Sequence, residues 1–197
     1  MKCLPIQEYL NCIEQGIIPD YPPESLDLTE FYKINPRDFC TKRGLWTVID
    51  KQWTKQLSKW IGRRKVLEIM AGGGWLSKAL SEHGTKIMAT DDYSWDNDSH
   101  PLMKRVYNVI PSHSLEAIAL YNADILLCSW PPYADEAMYR AARLWGNKKP
   151  IIMIGEGQGG CTATDEFFEN FRVEKSIYIP QWWGFHDYIQ IGYFNVQ

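Results

Sequence analysis

The residues best able to do chemistry lie in two short stretches. The first is Val66-Leu67-Glu68-Ile69-Met70-Ala71-Gly72-Gly73-Gly74-Trp75-Leu76-Ser77. An apolar run that feeds three glycines and then a helical pattern brings bare main chain close to a ligand, where a Cβ would block the approach. The helix start beyond it favours an anionic group. Asp91 and Asp92 close the next apolar run, TKIMAT at 85–90, and a carboxylate at that edge can accept hydrogen bonds from both hydroxyls of a ribose. Spacing alone does not separate the two aspartates. Ala71, Gly72, Gly73 and Gly74, with one of these acids, describe a nucleoside site. Counted from Gly72, the sixth position is Ser77, so the dinucleotide fingerprint G-x-G-x-x-G is not met and a nicotinamide oxidoreductase becomes the weaker alternative. Glu68 lies inside the strand, and a carboxylate buried there calls for a cationic or hydrogen-bonding partner.

The second stretch is Asp124-Ile125-Leu126-Leu127-Cys128-Ser129-Trp130-Pro131-Pro132-Tyr133. Successive prolines have fixed φ and donate no backbone hydrogen bond, so they end a strand and present rigid carbonyls that can orient a substrate. Weaker candidates follow. The turn Gln181-Trp182-Trp183-Gly184-Phe185-His186-Asp187 offers His186 and Asp187 for proton removal,. Gly155-Glu156-Gly157-Gln158-Gly159-Gly160-Cys161-Thr162 approaches a phosphate loop but has Cys161 where the lysine belongs,; Glu156 could still face a substrate. Asp92, Asp96 and Asp98 lack the Gly and Glu of a calcium loop, and His83, His100 and His113 have no ligand spacing, so no metal is expected,.

These residues need elements to position them. Runs at 65–70, 85–90, 123–129 and 150–155 read as strands, and 75–83, 134–145 and 164–171 as helices,. Short apolar strands alternating with helices imply a parallel sheet covered on both faces. Strands at 173–180 and 187–195, joined by six residues, can only be antiparallel, so the sheet is mixed. Residues 1–62 read as a small helical cap, with Trp46 to Trp60 at near-helical spacing, on a core at 63–197 within one domain,.

Glu68 to Gly74, the acid after the second strand, and Pro131-Pro132-Tyr133 after the fourth resemble motifs of the class I S-adenosylmethionine-dependent methyltransferases. The likeness covers about 65–195, including the terminal hairpin. It implies a Rossmann-like, mixed seven-stranded sheet with helices on both faces and an antiparallel last strand. It also implies S-adenosyl-L-methionine as cofactor, with the turn at Gly72 and Gly74 under its methionine part, Glu68 around its amino end and Asp91 on its ribose, Asp92 being the rival. The acceptor wall then falls on Trp130, Pro131, Pro132 and Tyr133, with Ser129 one place earlier counted to the cofactor side, and Trp130, Tyr133 or Trp75 can face the cationic sulfur, an attraction of about 0.5–2 kcal/mol. The chain departs from the family at Met70, where the first glycine is usual, and at Trp130, where amine-methylating members have Asp, Asn or Ser.

Composition bounds the partners. With 21 Lys+Arg against 24 Asp+Glu, the net charge of −3 gives no general pull toward nucleic acid or anionic membrane,. A small-molecule acceptor is favoured, protein or RNA stays open, and DNA is disfavoured. No apolar run approaches the roughly 20 residues of a membrane helix. Five cysteines without a C-x-x-C pair point to a reducing, cytoplasmic setting,. Nine tryptophans exceed what a core of this size needs and hint at a flat or cationic ligand,. A cofactor-binding protein without transfer activity, a sensor or partner subunit, is the alternative from another class.

Overall fold

Along each central strand, apolar side chains alternate between two separate cores. Val66, Ile125, Leu127, Ile152, Ile154, Ile189 and Ile191 belong to one, and Leu67, Ile69, Leu126, Cys128, Ile151 and Met153 to the other. A strand buried on both faces has to be apolar at every position, which is why these runs show no polar alternation. The computed structural model describes residues 2–94 and 102–195. Its strands are β1 (Val66–Glu68), β2 (Ile87–Asp91), β3 (Val109–Pro111), β4 (Ile125–Ser129), β5 (Ile151–Gly155), β6 (Phe171–Tyr178) and β7 (Tyr188–Phe194). They form one sheet in the order β3-β2-β1-β4-β5-β7-β6. β1 to β5 pair in parallel, whereas β7 runs antiparallel to both β5 and β6.

Among the described residues, eight helices cover the faces: α1 (Ile6–Glu14), α2 (Leu28–Ile34), α3 (Pro36–Thr41), α4 (Lys51–Ile61), α5 (Trp75–Glu82), α6 (Ser114–Leu120), α7 (Ala137–Trp145) and α8 (Asp165–Asn170). Buried residues of α1 to α5 join the first core, and those of α6 to α8 the second. The N-terminal helices therefore share a core with the sheet. Tyr9 ties them in: its hydroxyl donates to the Ile49 carbonyl at 3.1 Å and accepts from the Ile49 N–H at 3.0 Å.

Two sequence expectations change. The helix expected from Trp46 begins only at Lys51, because Asp50 caps it: one carboxylate oxygen accepts from the N–H groups of Gln52 at 2.6 Å and Trp53 at 3.2 Å,. Trp46 to Ile49 thus lie in a connecting segment. The third parallel strand, β3, and the helix α6 after it are present where the strand and helix patterns of the sequence gave neither.

Candidate functional site

At the carboxyl edge of β1, β2 and β4, where the strand order reverses, a cavity of about 770 Å³ opens between the sheet and the N-terminal helices. Ligands in open α/β sheets bind at such a switch point, and this volume lies in the range of small-molecule sites.

One end is built from the glycine turn. After β1 the chain passes through left-handed backbone at Met70, Gly72 and Gly74 before α5 begins. The turn is held by the Ala71 N–H donating to Thr90 O at 3.1 Å and the Gly72 N–H donating to Asp91 Oδ2 at 2.7 Å. The other oxygen of Asp91 accepts from the Tyr93 N–H at 2.7 Å. A Cβ on Gly72 would have no neighbour nearer than 3.9 Å, the Gly44 carbonyl, so this face is open. Its two neighbours differ. A Cβ on Gly73 would lie 2.0 Å from Lys104 O, and one on Gly74 2.7 Å from Tyr107 Cβ. Gly73 and Gly74 let the segment before β3 lie against the turn, fastened by the Val106 N–H donating to Gly73 O at 2.9 Å; neither lines the cavity. Of the three glycines, Gly72 alone does.

Met70 explains its own departure from the family pattern. Its φ of 53° is the conformation glycine adopts at least cost,, and its side chain packs against the core under α6 to α8. The residue also borders the cavity.

Glu68 is 1% exposed and accepts a hydrogen bond from the Ser77 hydroxyl. Burial, with a smaller contribution from the negative charge of Asp91, pushes its pKa up to about 8, so it keeps its proton at neutral pH unless a cation stands beside it. Asp91 is buried and Asp92 exposed, the latter accepting from the Ser94 N–H at 3.0 Å. Glu68, Asp91 and Asp92 all border the cavity.

The other end is aromatic. Trp130 also has left-handed backbone, φ 52°. Its N–H donates to Ile154 O at 2.8 Å and its indole Nε1–H to Asp187 Oδ1 at 3.0 Å. Asp187 is fully buried and takes a second hydrogen bond, 2.9 Å, from the Thr47 hydroxyl. Burial raises its pKa to about 6 against the pull of these two donors. The Trp130 ring stacks on Trp46 at 6.1 Å and tilts toward Phe185 at 6.0 Å. The Arg37 guanidinium lies 3.8 Å from the Phe185 ring, 5.3 Å from Trp130 and 5.8 Å from Trp46. Ser129, Pro131 and Pro132 border the cavity as well, with Tyr133 exposed at its rim. The Pro131 carbonyl is engaged by the Ala163 N–H at 3.3 Å.

Several expected residues lie elsewhere. The His186 side chain is 69% exposed and does not border the cavity; its backbone N–H donates to Glu156 Oε1 at 3.2 Å. Glu156 is buried and also accepts from the Cys161 N–H at 2.8 Å, so it ties two loops together away from the cavity lining. Trp75 does border the cavity, but it is buried with its indole N–H committed to the Arg43 carbonyl at 2.9 Å. Among the described residues, no three acidic, His or Cys side chains converge on one metal position; Asp96, Asp98 and His100 lie outside them. Sequence reasoning missed Arg37, Phe185 and the role of Trp46. The surplus of tryptophan was the one signal that pointed toward them.

No protein-family model matches the sequence, and no curated protein does. Among solved structures, a mutant of MtNAS in complex with S-adenosylmethionine matches with a TM-score of 0.55 at 13% identity, over 96% of this chain and 72% of that one. A TehB-like SAM-dependent methyltransferase from Corynebacterium glutamicum gives 0.48 at 17% identity, over 85% of this chain and 98% of that one. A SAM-dependent methyltransferase from Archaeoglobus fulgidus gives 0.47 at 14%, over 73% and 94%. At these identities the likeness is one of fold. With its β3-β2-β1-β4-β5-β7-β6 sheet and antiparallel β7, the chain has the Rossmann-like, seven-stranded fold that its sequence motifs suggested, that of the class I S-adenosylmethionine-dependent methyltransferases.

Proposed function

We propose that this protein binds S-adenosyl-L-methionine and transfers its methyl group to a small-molecule acceptor. The observation that carries the reading is the junction of Gly72 and Asp91: an open main-chain face clamped by a buried carboxylate, at the same edge as the buried Glu68. The residues present fit the cofactor. Gly72 leaves room where any Cβ would intrude, Asp91 stands where a ribose acid belongs, and Glu68 awaits a cation such as an α-ammonium. When bound, S-adenosylmethionine supplies an activated methyl group on a cationic sulfur.

The chain's own residues do the rest. Asp91, buried and tied to the turn, is the better ribose ligand than exposed Asp92. Gly72 admits the cofactor, and Glu68 gives up its proton to pair with the ammonium. Trp130, Pro131 and Pro132, with Arg37 and Phe185, form the wall against which an acceptor is oriented, and Ser129 lies at the border of the two ends. Positioning two reactants in attack geometry can lower a barrier by roughly 7–11 kcal/mol, and this reading asks no covalent chemistry of the protein. Exposed His186 takes no proton-transfer role in it. The cavity's partial enclosure by the N-terminal helices favours a small acceptor over protein or RNA, and DNA least. Five cysteines without a C-x-x-C pair fit a cytoplasmic protein,; no helix among the described residues is long and apolar enough to cross a membrane.

One observation favours a second reading, a cofactor-binding protein without transfer. Trp130 stands where a hydrogen-bond acceptor for a substrate amine would be useful, and its indole can only donate, a donor already committed to Asp187. Titration calorimetry with S-adenosylhomocysteine tests binding for both readings. Incubation of labelled S-adenosylmethionine with small-molecule extracts separates them, because label moving into a new product supports the enzyme and saturable binding with no product supports the sensor.

A further inference from the structure

The guanidinium of Arg37 borders the cavity, yet among the described residues it makes no hydrogen bond and no ion pair, and its Nε is buried without a partner. Aromatic faces alone hold it, with Phe185 at 3.8 Å, Trp130 at 5.3 Å and Trp46 at 5.8 Å. Five N–H donors in a fixed planar fork are a costly thing to leave unmatched in a half-buried place. The acids nearest in charge do not satisfy it. Asp187 is spent on Thr47 and Trp130, and Glu156 on the backbone N–H groups of Cys161 and His186. The aromatic rings pack on the guanidinium, and the residue borders the cavity.

We propose that Arg37 is the anchor for a carboxylate on the acceptor, taken in the paired geometry that a guanidinium offers a carboxylate, with the rings of Trp130 and Phe185 flanking the flat body of the same molecule. This rests on the function proposed above and narrows its acceptor to a small carboxylic acid, an aromatic one fitting the walls best. The cofactor also carries a carboxylate, but its ammonium is bonded to the same carbon, and the ammonium partner proposed here, Glu68, belongs to the other end of the cavity. Arg37 packs on the rings of Phe185, Trp130 and Trp46, whereas Glu68 lies at the glycine turn against the Ser77 hydroxyl. The cofactor's own carboxylate is distinguished from an acceptor's by 5′-methylthioadenosine, which lacks one.

The experiment uses benzoate and its uncharged counterpart benzamide, titrated against the full chain with and without saturating S-adenosylhomocysteine and followed by tryptophan fluorescence. Trp46 and Trp130 adjoin the fork and report its occupancy. The expected result is saturable benzoate binding, at least tenfold weaker binding of benzamide, and a tenfold or greater loss of benzoate affinity in Arg37→Gln. Arg37→Lys, which keeps the charge and loses the fork, should recover only part of it, while S-adenosylhomocysteine affinity stays within threefold in both variants. Thermal unfolding of each variant confirms that it is folded. Absence of saturable benzoate binding, equal affinity for benzamide, or benzoate binding that survives Arg37→Gln would overturn the proposal. So would loss of S-adenosylhomocysteine in Arg37→Gln with 5′-methylthioadenosine, which lacks a carboxylate, still bound; that result assigns Arg37 to the cofactor. Failure of the unaltered protein to bind S-adenosylhomocysteine would instead remove the underlying function, whatever benzoate does.

Discussion

The two ends of the cavity are made in opposite ways. At the glycine turn the ligand space is bordered by main chain and by the acids Glu68, Asp91 and Asp92, close together in the chain, with residues 112–115 beside them. At the aromatic end it is bordered by Arg37, Trp46, Trp130 and Phe185, four side chains from three widely separated stretches of chain, with Trp130 fastened through Asp187 to Thr47. The first end has the features of a site for one fixed molecule, since backbone cannot be changed by substitution. The second has those of a site whose specificity is set by side chains. The difference separates cofactor recognition from acceptor recognition, and variants at the two ends should fail in different ways.

The largest effect is expected at Gly72. Its φ of 56° costs a β-branched residue about 1–2 kcal/mol or more,, and any side chain enters the open face. Gly72→Val should abolish S-adenosylhomocysteine binding, more than 100-fold by calorimetry, with the chain still folded by circular dichroism. Gly73→Ala should behave otherwise, because its Cβ would meet the Lys104 carbonyl at 2.0 Å; a stability loss of about 1–3 kcal/mol in urea unfolding is expected from such overpacking. If the two variants gave the same profile, the division between a ligand-facing and a packing glycine would be wrong.

Next comes Asp91→Ala, which leaves the Gly72 and Tyr93 N–H groups without these partners, each worth about 1–3 kcal/mol when buried,. At least tenfold weaker S-adenosylhomocysteine binding is predicted, against less than threefold for Asp92→Ala; equal losses would return the ribose to either acid. At the aromatic end, Trp130→Phe keeps a ring but strips Asp187 of one donor. It should leave S-adenosylhomocysteine affinity within threefold and lower methyl transfer at least tenfold, measured once an acceptor is in hand.

The smallest signal is a proton. The pKa of Glu68 is raised by burial to about 8 in the folded chain, so pairing it with an ammonium at about pH 7 requires ionisation, and binding should release close to one proton. The same sign applies to stability. This contribution is complete below the ordinary carboxylate pKa of 4.5 and is lost as pH rises toward about 8. Calorimetry in two buffers of different ionisation enthalpy measures the release, and Glu68→Gln should eliminate it. A proton count of zero in the unaltered protein would mean that Glu68 never meets the cation.

How legible each end was in the sequence follows from its construction. The order of Glu68, Gly72 and Asp91 is contiguous enough that strand, turn and acid could be read directly, and the mixed sheet followed from a six-residue link at 181–186. Gly73 and Gly74 were read as ligand glycines because the neighbour that crowds them, the segment at 104–109, gave no strand pattern of its own. Trp46 fell into a helical spacing with Trp53 and Trp60, a pattern that Asp50 interrupts by capping α4. Arg37 and Phe185 carry no local motif at all. They meet only because α3 and the turn before β7 fold over the same cavity, which is tertiary information.

Titration calorimetry of the unaltered chain with S-adenosylhomocysteine tests the central claim most directly. The account predicts a single saturable site that survives in Trp130→Phe and vanishes in Gly72→Val. No heat, in a sample shown by circular dichroism to be folded, would contradict it.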